Sequence, residues 1–205
     1  MDHYVITIAR GYGSGGRTIG KKLSEILSVP FYDRELIYMA SEESGINVRL
    51  FGQADEHVEK GIFQPVSKPY QGGLIPPESS DFVSEENIFN YQAKVIKDLA
   101  EKQSCIIIGR CADYILRDMP NVLRVFIWAP FETCVSTIMD LQSLSEKDAA
   151  KKIKKIDRHR SDYYRYYTGR DWQDYSNYDL CLNTQKLGFD KTCDVIVNYL
   201  QQMEK

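Results

Sequence analysis

The 205-residue sequence has no long apolar run and no two cysteines in a C-x-x-C spacing. The first absence excludes a membrane-spanning helix, which needs about 20 mostly apolar residues. The second, with an odd count of five cysteines, argues against a zinc site or a disulfide framework and predicts reduced thiols in a cytoplasmic protein. Cys105 and Cys181 lie in apolar runs and are predicted to be core residues.

The sequence also lacks an excess of positive charge. Its 26 basic and 29 acidic side chains give a net charge of -3, which argues against a general nucleic-acid binder. There is no G-x-S-x-G elbow and no H-E-x-x-H motif, so neither a serine hydrolase nor a zinc protease is indicated. The apolar fraction of 43% is enough for a core, and the length predicts one domain over residues 1–205.

Five short runs, three of them rich in β-branched residues, alternate with segments of helical periodicity. The five runs are residues 4–9, 30–32, 104–108, 122–128 and 178–183. Strands alternating with helices predict an α/β fold, with a parallel sheet covered on both faces. In such sheets ligands bind beyond the carboxyl ends of the strands, so the loops that follow the runs are the candidate site.

A glycine-rich loop follows the first predicted strand and precedes an amphipathic helix. It reads G-Y-G-S-G-G-R-T from Gly11 to Thr18 and matches the phosphate loop G-x-x-x-x-G-K-[ST], with Arg17 in place of lysine. Glycines let backbone amides point at a polyphosphate, a cation neutralises its oxygens, and the last hydroxyl can ligate Mg²⁺. The predicted nucleotide-binding residues are Gly11, Gly13, Ser14, Gly15, Gly16, Arg17 and Thr18.

Two other interpretations involve the same loop and the acidic residue after the second strand. Residues 11–16 also satisfy the dinucleotide fingerprint G-x-G-x-x-G, which requires an acidic residue roughly 20 positions further on. Asp33 lies close to that spacing. Asp33 is also predicted to be the N-cap of the helix that follows, running to about residue 43.

Two later segments have unusual compositions. Residues 61–82 contain four of the seven prolines and are predicted to make an irregular excursion. Residues 147–170 carry nine basic and three acidic side chains, within a predicted helical stretch over about 145–172. Such a segment in an acidic protein suggests an anionic ligand. The segment also contains four tyrosines that could stack on a base, pack internally or form a homodimer interface. They are Tyr163, Tyr164, Tyr166 and Tyr167.

At these motifs the sequence resembles the cytidylate-kinase-like branch of the phosphate-loop nucleoside monophosphate kinases. The resemblance rests on residues 6–20, 30–37, 106–110, 157–160 and 178–184. It implies a three-layer α/β/α P-loop kinase fold with a five-stranded parallel sheet and a helical lid. It also implies ATP with Mg²⁺ as the phosphoryl donor and a small-molecule nucleotide, CMP or dCMP, as the acceptor.

The resemblance also implies roles for individual residues. Gly11–Thr18 would hold the donor phosphates, with Thr18 on the metal ion. Asp33 would lie near the transferred group, and Arg34 and Arg110 would hold the acceptor. Arg158 and Arg160 would be lid arginines that clamp the phosphates. The implied catalytic set is therefore Arg17, Asp33, Arg158 and Arg160.

The chain departs from the bacterial cytidylate kinases at two positions. Ile108 stands where those enzymes have an aspartate before the Gly-Arg pair, and Met39 stands where an arginine follows the tyrosine of the second helix. These departures leave two alternatives to a CMP kinase. One is a kinase of another small molecule with the same donor site, and the other is a nucleotide-binding sensor without turnover.

Overall fold

The computed structural model describes residues 3–52 and 69–203. Five strands form one sheet in the order β2-β3-β1-β4-β5, and every neighbouring pair is parallel. The strands are β1 (Val5–Arg10), β2 (Phe31–Tyr32), β3 (Cys105–Ile108), β4 (Val122–Trp128) and β5 (Leu180–Asn183). Each falls within or at the edge of a predicted run, which confirms the α/β class with a five-stranded parallel sheet.

Helices connect the strands. They are α1 (Gly16–Leu27), α2 (Glu35–Ser44), α3 (Glu85–Lys102), α4 (Ala112–Ile115), α5 (Phe131–Gln142), α6 (Glu146–Thr168) and α7 (Thr184–Met203). Residues 48–52 are also helical, and Tyr175–Asn177 form a 3₁₀ turn. The two longest helices before α7 begin at serine N-caps, Ser84 for α3 and Ser145 for α6, and each hydroxyl accepts a bond from a backbone amide.

Two apolar layers hold the helices to the sheet. On one face, Ile19 and Leu23 of α1 and Ile196 of α7 pack against strand residues such as Ile6 and Ile108. The other face packs against α2, α3, α4 and the C-terminal part of α6. These layers give the three-layer α/β/α architecture. A smaller cluster joins α5 to α6, so the basic helix is fixed at both ends.

The structure decides several of the sequence predictions. Cys105 is buried, but the prediction for Cys181 is wrong because β5 is an edge strand and Cys181 is exposed. Tyr164 and Tyr167 are buried, and Tyr167 stacks on Phe89 with ring centroids 3.9 Å apart. Tyr163 and Tyr166 are half-buried against the same apolar cluster, and Tyr163 also lines a cavity. The homodimer interface stays a prediction.

Residues 69–82, the described part of the proline-rich segment, contain turns but no helix or strand. The first part of that segment, residues 61–68, lies outside the described residues. Within the described ranges, none of the helices combines the length and the apolar character that crossing a bilayer requires.

Candidate active site

The glycine loop lies at the carboxyl end of β1, the central strand of the sheet. Gly13 and Gly15 have φ angles of +87° and +85°, a region that costs residues with a Cβ about 1–2 kcal/mol. The Ser14 hydroxyl lies 2.9 Å from the Gly11 carbonyl oxygen and 3.1 Å from that of Ile127 in β4. The hydrogen bond to Ile127 therefore fixes the loop to β4, the strand that pairs with β1.

Some backbone groups of the loop are hydrogen-bonded within the protein, whereas several of its amides are not. Thr184, at the end of β5, donates its hydroxyl to the Ser14 carbonyl oxygen at 2.9 Å. The Ser14 amide turns back on the Gly11 carbonyl at 3.3 Å. Within residues 3–52 and 69–203, five other amides of the loop and of the first turn of α1 have no protein acceptor; they belong to Gly13, Gly15, Gly16, Arg17 and Thr18. Five donors at a helix N-terminus are a cradle for a polyphosphate.

Arg17 and Asp33 form an ion pair at the mouth of the loop. The Arg17 Nε atom donates to the Asp33 carboxylate at 2.7 Å, with the arginine side chain 58% exposed and that of Asp33 15% exposed. The N-cap prediction for Asp33 is wrong: α2 has Arg34 at its N-cap and no side-chain cap. The carboxylate faces the arginine of the phosphate loop instead. An exposed pair of this kind stabilises the fold little, so Arg17 can exchange the carboxylate for another anion.

A cavity of about 310 Å³ opens beside the loop, at the carboxyl ends of β1 and β3 and after β2. Four arginines line it, namely Arg10, Arg34, Arg110 and Arg160. The carboxylates in its lining are those of Asp33 and Asp113. Because Asp33 already pairs with Arg17, the cavity wall is strongly cationic, as a site for an anionic small molecule would be.

Helix α6 reaches this site through two side chains. The Asp157 carboxylate accepts the Tyr12 amide of the glycine loop at 2.8 Å, and burial raises the pKa of Asp157. Arg160 donates to the Arg10 carbonyl oxygen at 2.9 Å and also contacts Asp157 at 3.3 Å. Arg158, in contrast, is 70% exposed and faces Asp162 across one helical turn. Of the two predicted lid arginines, the structure brings only Arg160 to the cavity.

The far wall of the cavity contains a buried acid–phenol pair. The Tyr164 hydroxyl donates to the Asp113 carboxylate at 2.6 Å, and both residues are buried. Burial raises the pKa of Asp113 to about 6, although the bond from Tyr164 acts in the opposite direction. Burial and the neighbouring Asp113 also raise the pKa of Tyr164. Tyr163 and Trp172 complete an aromatic wall beside this pair.

The two positions that depart from the bacterial pattern have different surroundings. Ile108 borders the cavity, but its side chain is buried on the other face of the sheet, where it packs with α1 beside Gly20. Met39 packs against the core instead of the cavity. Arg34 lies in the cavity wall.

Sequence reasoning missed Arg10, Asp113 and Asp157 as site residues. Arg10 ends an otherwise apolar buried strand at the ligand-binding edge of the sheet, and that position was the available signal. Asp113 lies four residues after the Gly109 turn, and no spacing rule connects it with Tyr164. Asp157 belongs to the 157–160 cluster, but the sequence does not show that its carboxylate meets the glycine loop.

Comparison with known proteins places the chain in a family. The model of the cytidylate kinase-like family matches residues 5–186, and the chain belongs to that family. It is similar to the cytidylate kinase of Methanosarcina mazei, with 28% identity over 199 residues and 93% of each chain covered. It is also similar to that of Pyrococcus horikoshii, with 24% identity over 186 residues, 90% of this chain and 82% of that protein.

Solved structures show the same fold. A structure of an uncharacterized protein from Eubacterium ventriosum matches with a TM-score of 0.70 and 29% identity, over 97% of this chain and 99% of that one. Shikimate kinase from Bacteroides thetaiotaomicron matches with a TM-score of 0.54 and 14% identity, over 97% and 98% of the two chains. Family and fold make the chain a kinase-type phosphotransferase that uses a nucleotide. They favour the phosphate-loop interpretation of residues 11–18 over the dinucleotide one.

Proposed function

We propose that the chain transfers the γ-phosphoryl group of Mg²⁺-ATP to a nucleoside monophosphate, with CMP or dCMP as the acceptor. One observation carries the proposal: a cradle of unpaired amides lies directly beside a cavity lined by four arginines. The cradle suits the donor's polyphosphate, and the cationic cavity suits an acceptor that already carries a phosphate. The similarity to two archaeal cytidylate kinases supports cytosine as the base.

The donor end of the reaction uses the glycine loop. Amides of the loop bind the β and γ phosphates, and Arg17 leaves Asp33 to neutralise their charge. Within the described part of the chain no group of three or more histidine, cysteine or acidic side chains could hold a metal ion. The Thr18 hydroxyl, exposed at the start of α1, is the protein ligand we assign to Mg²⁺. When bound with ATP, the ion neutralises phosphate charge.

The acceptor end uses the cavity. Arg34 and Arg110 hold the acceptor, Asp33 orients it, and Arg160 closes over the transferring group from the lid helix. Arg158 is left out of this set, because it faces solvent and Asp162 while Arg160 occupies the cavity side of α6. A monophosphate acceptor is already an anion at neutral pH, so no strong general base is required. Positioning and charge neutralisation carry the reaction.

The test is a panel of acceptors with Mg²⁺-ATP, read by coupled ADP release. CMP, dCMP, UMP, AMP, GMP and unphosphorylated small alcohols should give turnover with CMP or dCMP above the others. Turnover on an alcohol with none on a monophosphate would contradict the proposal. So would tight ATP binding without turnover on any acceptor, which is the behaviour of a sensor.

The donor site has its own test in Arg17→Ala. The side chain is exposed and its ion pair stabilises little, so the variant should fold. Loss of a charged contact to the phosphates should weaken ATP binding about 10- to 100-fold in calorimetry. Arg165→Ala is the matched control, because Arg165 is 63% exposed and pairs with Asp171 outside the cavity. Unchanged ATP affinity in Arg17→Ala would remove the donor site.

A further inference from the structure

The segment that joins β5 to α7 packs against the glycine loop. Thr184 donates its hydroxyl to the Ser14 carbonyl oxygen at 2.9 Å. Further along the same segment, Phe189 fills the space where a side chain at Gly15 would lie, because a Cβ atom added there would overlap carbons of its ring. One short segment therefore contacts two consecutive residues of the loop.

A break in α7 turns Phe189 towards the loop. Gly188 has φ +70° and ψ 172°, which interrupts the helix immediately before Phe189. The residues after the break are held against α1: Asp190 pairs with Lys22 at 2.6 Å, and Cys193 is buried in the apolar layer that α7 shares with α1 and the sheet. The packing of α7 therefore fixes where the ring lies.

Gly15 has little restraint of its own. It has φ +85° at the N-cap of α1, and glycine changes its backbone conformation at little cost. The three atoms nearest to its Cβ position all belong to Phe189. Cys134 of α5 lies close to the corresponding position of Gly13. The two positive-φ glycines of the loop are therefore packed by two different side chains.

Phe189 is not a core side chain. It is 37% exposed, so its removal takes less apolar surface out of the interior than removal of a buried phenylalanine would. The Gly15 amide beside it is one of the five donors of the cradle. The contact therefore lies at the donor site, and a loss of nucleotide affinity can be measured separately from a loss of stability.

We propose that Phe189 is a positioning residue for the donor phosphates: its ring holds Gly15 in the conformation that presents the amides of the cradle. Preorganised donors stabilise charge only while they keep their geometry, and a small misplacement is costly. Phe189 acts through Gly15 and needs no contact with the nucleotide. The inference rests on the proposed function, in which the cradle binds the phosphates of ATP, and adds the side chain that keeps the cradle in shape.

The experiment is a double-mutant cycle between Phe189 and Gly15, read by calorimetry of Mg²⁺-ATP without acceptor. Phe189→Ala removes the ring and should weaken binding about tenfold. Phe189→Leu keeps apolar atoms against Gly15 and should recover most of the affinity. Gly15→Ala alone should weaken binding more, because its Cβ atom overlaps the ring. In Gly15→Ala/Phe189→Ala that overlap is absent, so the double variant should bind ATP more tightly than Gly15→Ala, whereas independent losses would multiply.

Two controls separate this contact from general effects. A Cβ atom at Gly13 meets Cys134 and not Phe189, so Phe189→Ala should not restore ATP binding to Gly13→Ala. Tyr175→Ala removes an exposed aromatic side chain from the 3₁₀ turn, and its ATP affinity should equal that of the wild type. Rescue of Gly13→Ala together with Gly15→Ala would show a general effect of Phe189 and would overturn the proposal.

Kinetics give the readout that a purely structural ring would not move. Urea denaturation first identifies conditions in which the variants are folded. There Phe189→Ala should raise the KM for ATP about tenfold and the KM for the acceptor by less than about twofold. Wild-type ATP affinity in folded Phe189→Ala refutes the positioning role and leaves the proposed function standing. Absence of ATP binding in the wild-type protein itself refutes the proposed function instead. If Gly15→Ala does not fold, Phe189→Ala and Phe189→Leu carry the test.

Discussion

Gly13→Ala is the sharpest test of the geometry of the glycine loop. Gly13 has φ +87°, which costs alanine roughly 1–2 kcal/mol. A Cβ atom there would also lie 2.9 Å from the backbone oxygen of Cys134 and 3.0 Å from its Cβ. Cys134 belongs to α5 and is buried, so it cannot move aside freely. Overpacking of this kind adds about 1–3 kcal/mol, and the expected loss of unfolding free energy is roughly 2–5 kcal/mol.

Gly45→Ala separates the two contributions. Gly45 has φ +73°, but a Cβ atom there would meet nothing within 4 Å. Its substitution should therefore cost only the backbone strain, about 1–2 kcal/mol. Urea denaturation of the three proteins gives the free energies, and calorimetry gives the ATP affinity of those that fold. If Gly13→Ala costs no more than Gly45→Ala, the close packing of the loop against α5 is refuted. Normal ATP affinity in Gly13→Ala would refute the link between loop geometry and the amide cradle.

Two predictions concern buried and half-buried charges. The pKa of Asp113 is raised to about 6 in the folded protein. Above that pH the ionised carboxylate therefore lowers the free energy of unfolding. Below about pH 4 the effect is small, because the carboxyl is protonated in both the folded and the unfolded protein. Asp113→Asn keeps an acceptor for Tyr164 and should stabilise the protein by up to about 3 kcal/mol at pH 8 but little at pH 4; equal effects in urea denaturation at the two pH values would contradict this. The Asp179 carboxylate accepts three hydrogen bonds from Arg124, two from the guanidinium at 2.7 and 3.0 Å and one from the backbone amide at 2.8 Å. Asp179→Ala should cost about 2 kcal/mol in the same assay, against almost nothing for the exposed Asp118→Ala, and equal losses would show that the pair does not fasten β5 to β4.

The sequence was sufficient for the fold because the hydrophobic pattern of each element agrees with its place in the sheet. The apolar β-branched runs of β1, β3 and β4 are buried in the centre of the sheet, where both faces exclude water. The burial prediction was wrong at β5. Its run, residues 178–183, has no β-branched residue and includes Asp179 and Asn183; it lies at the edge of the sheet, and Cys181 is exposed there. Strand order, which decides edge or centre, cannot be read from a single run.

The candidate site was predicted in part. The composition of residues 11–18, and their place between a predicted strand and a predicted helix, predict a phosphate-binding loop. Arg158 and Arg160 are two residues apart on one helix, so their side chains point about 160° apart around its axis and cannot both face the cavity. This constraint was available once the helix was predicted. The pairing of Asp113 with Tyr164 and the approach of Asp157 to Tyr12 join residues from distant parts of the chain, and no local pattern encodes them.

The anchoring of the glycine loop has a consequence for how quickly a nucleotide can bind. Hydrogen bonds from Ser14 and Thr184 to carbonyl oxygens fix the loop from the side of the sheet, before any ligand arrives. The conformational entropy of ordering it is therefore lost when the protein folds and not when the nucleotide arrives. Association then needs no ordering of the loop, and the encounter rate should depend mainly on diffusion and on the field of the neighbouring arginines.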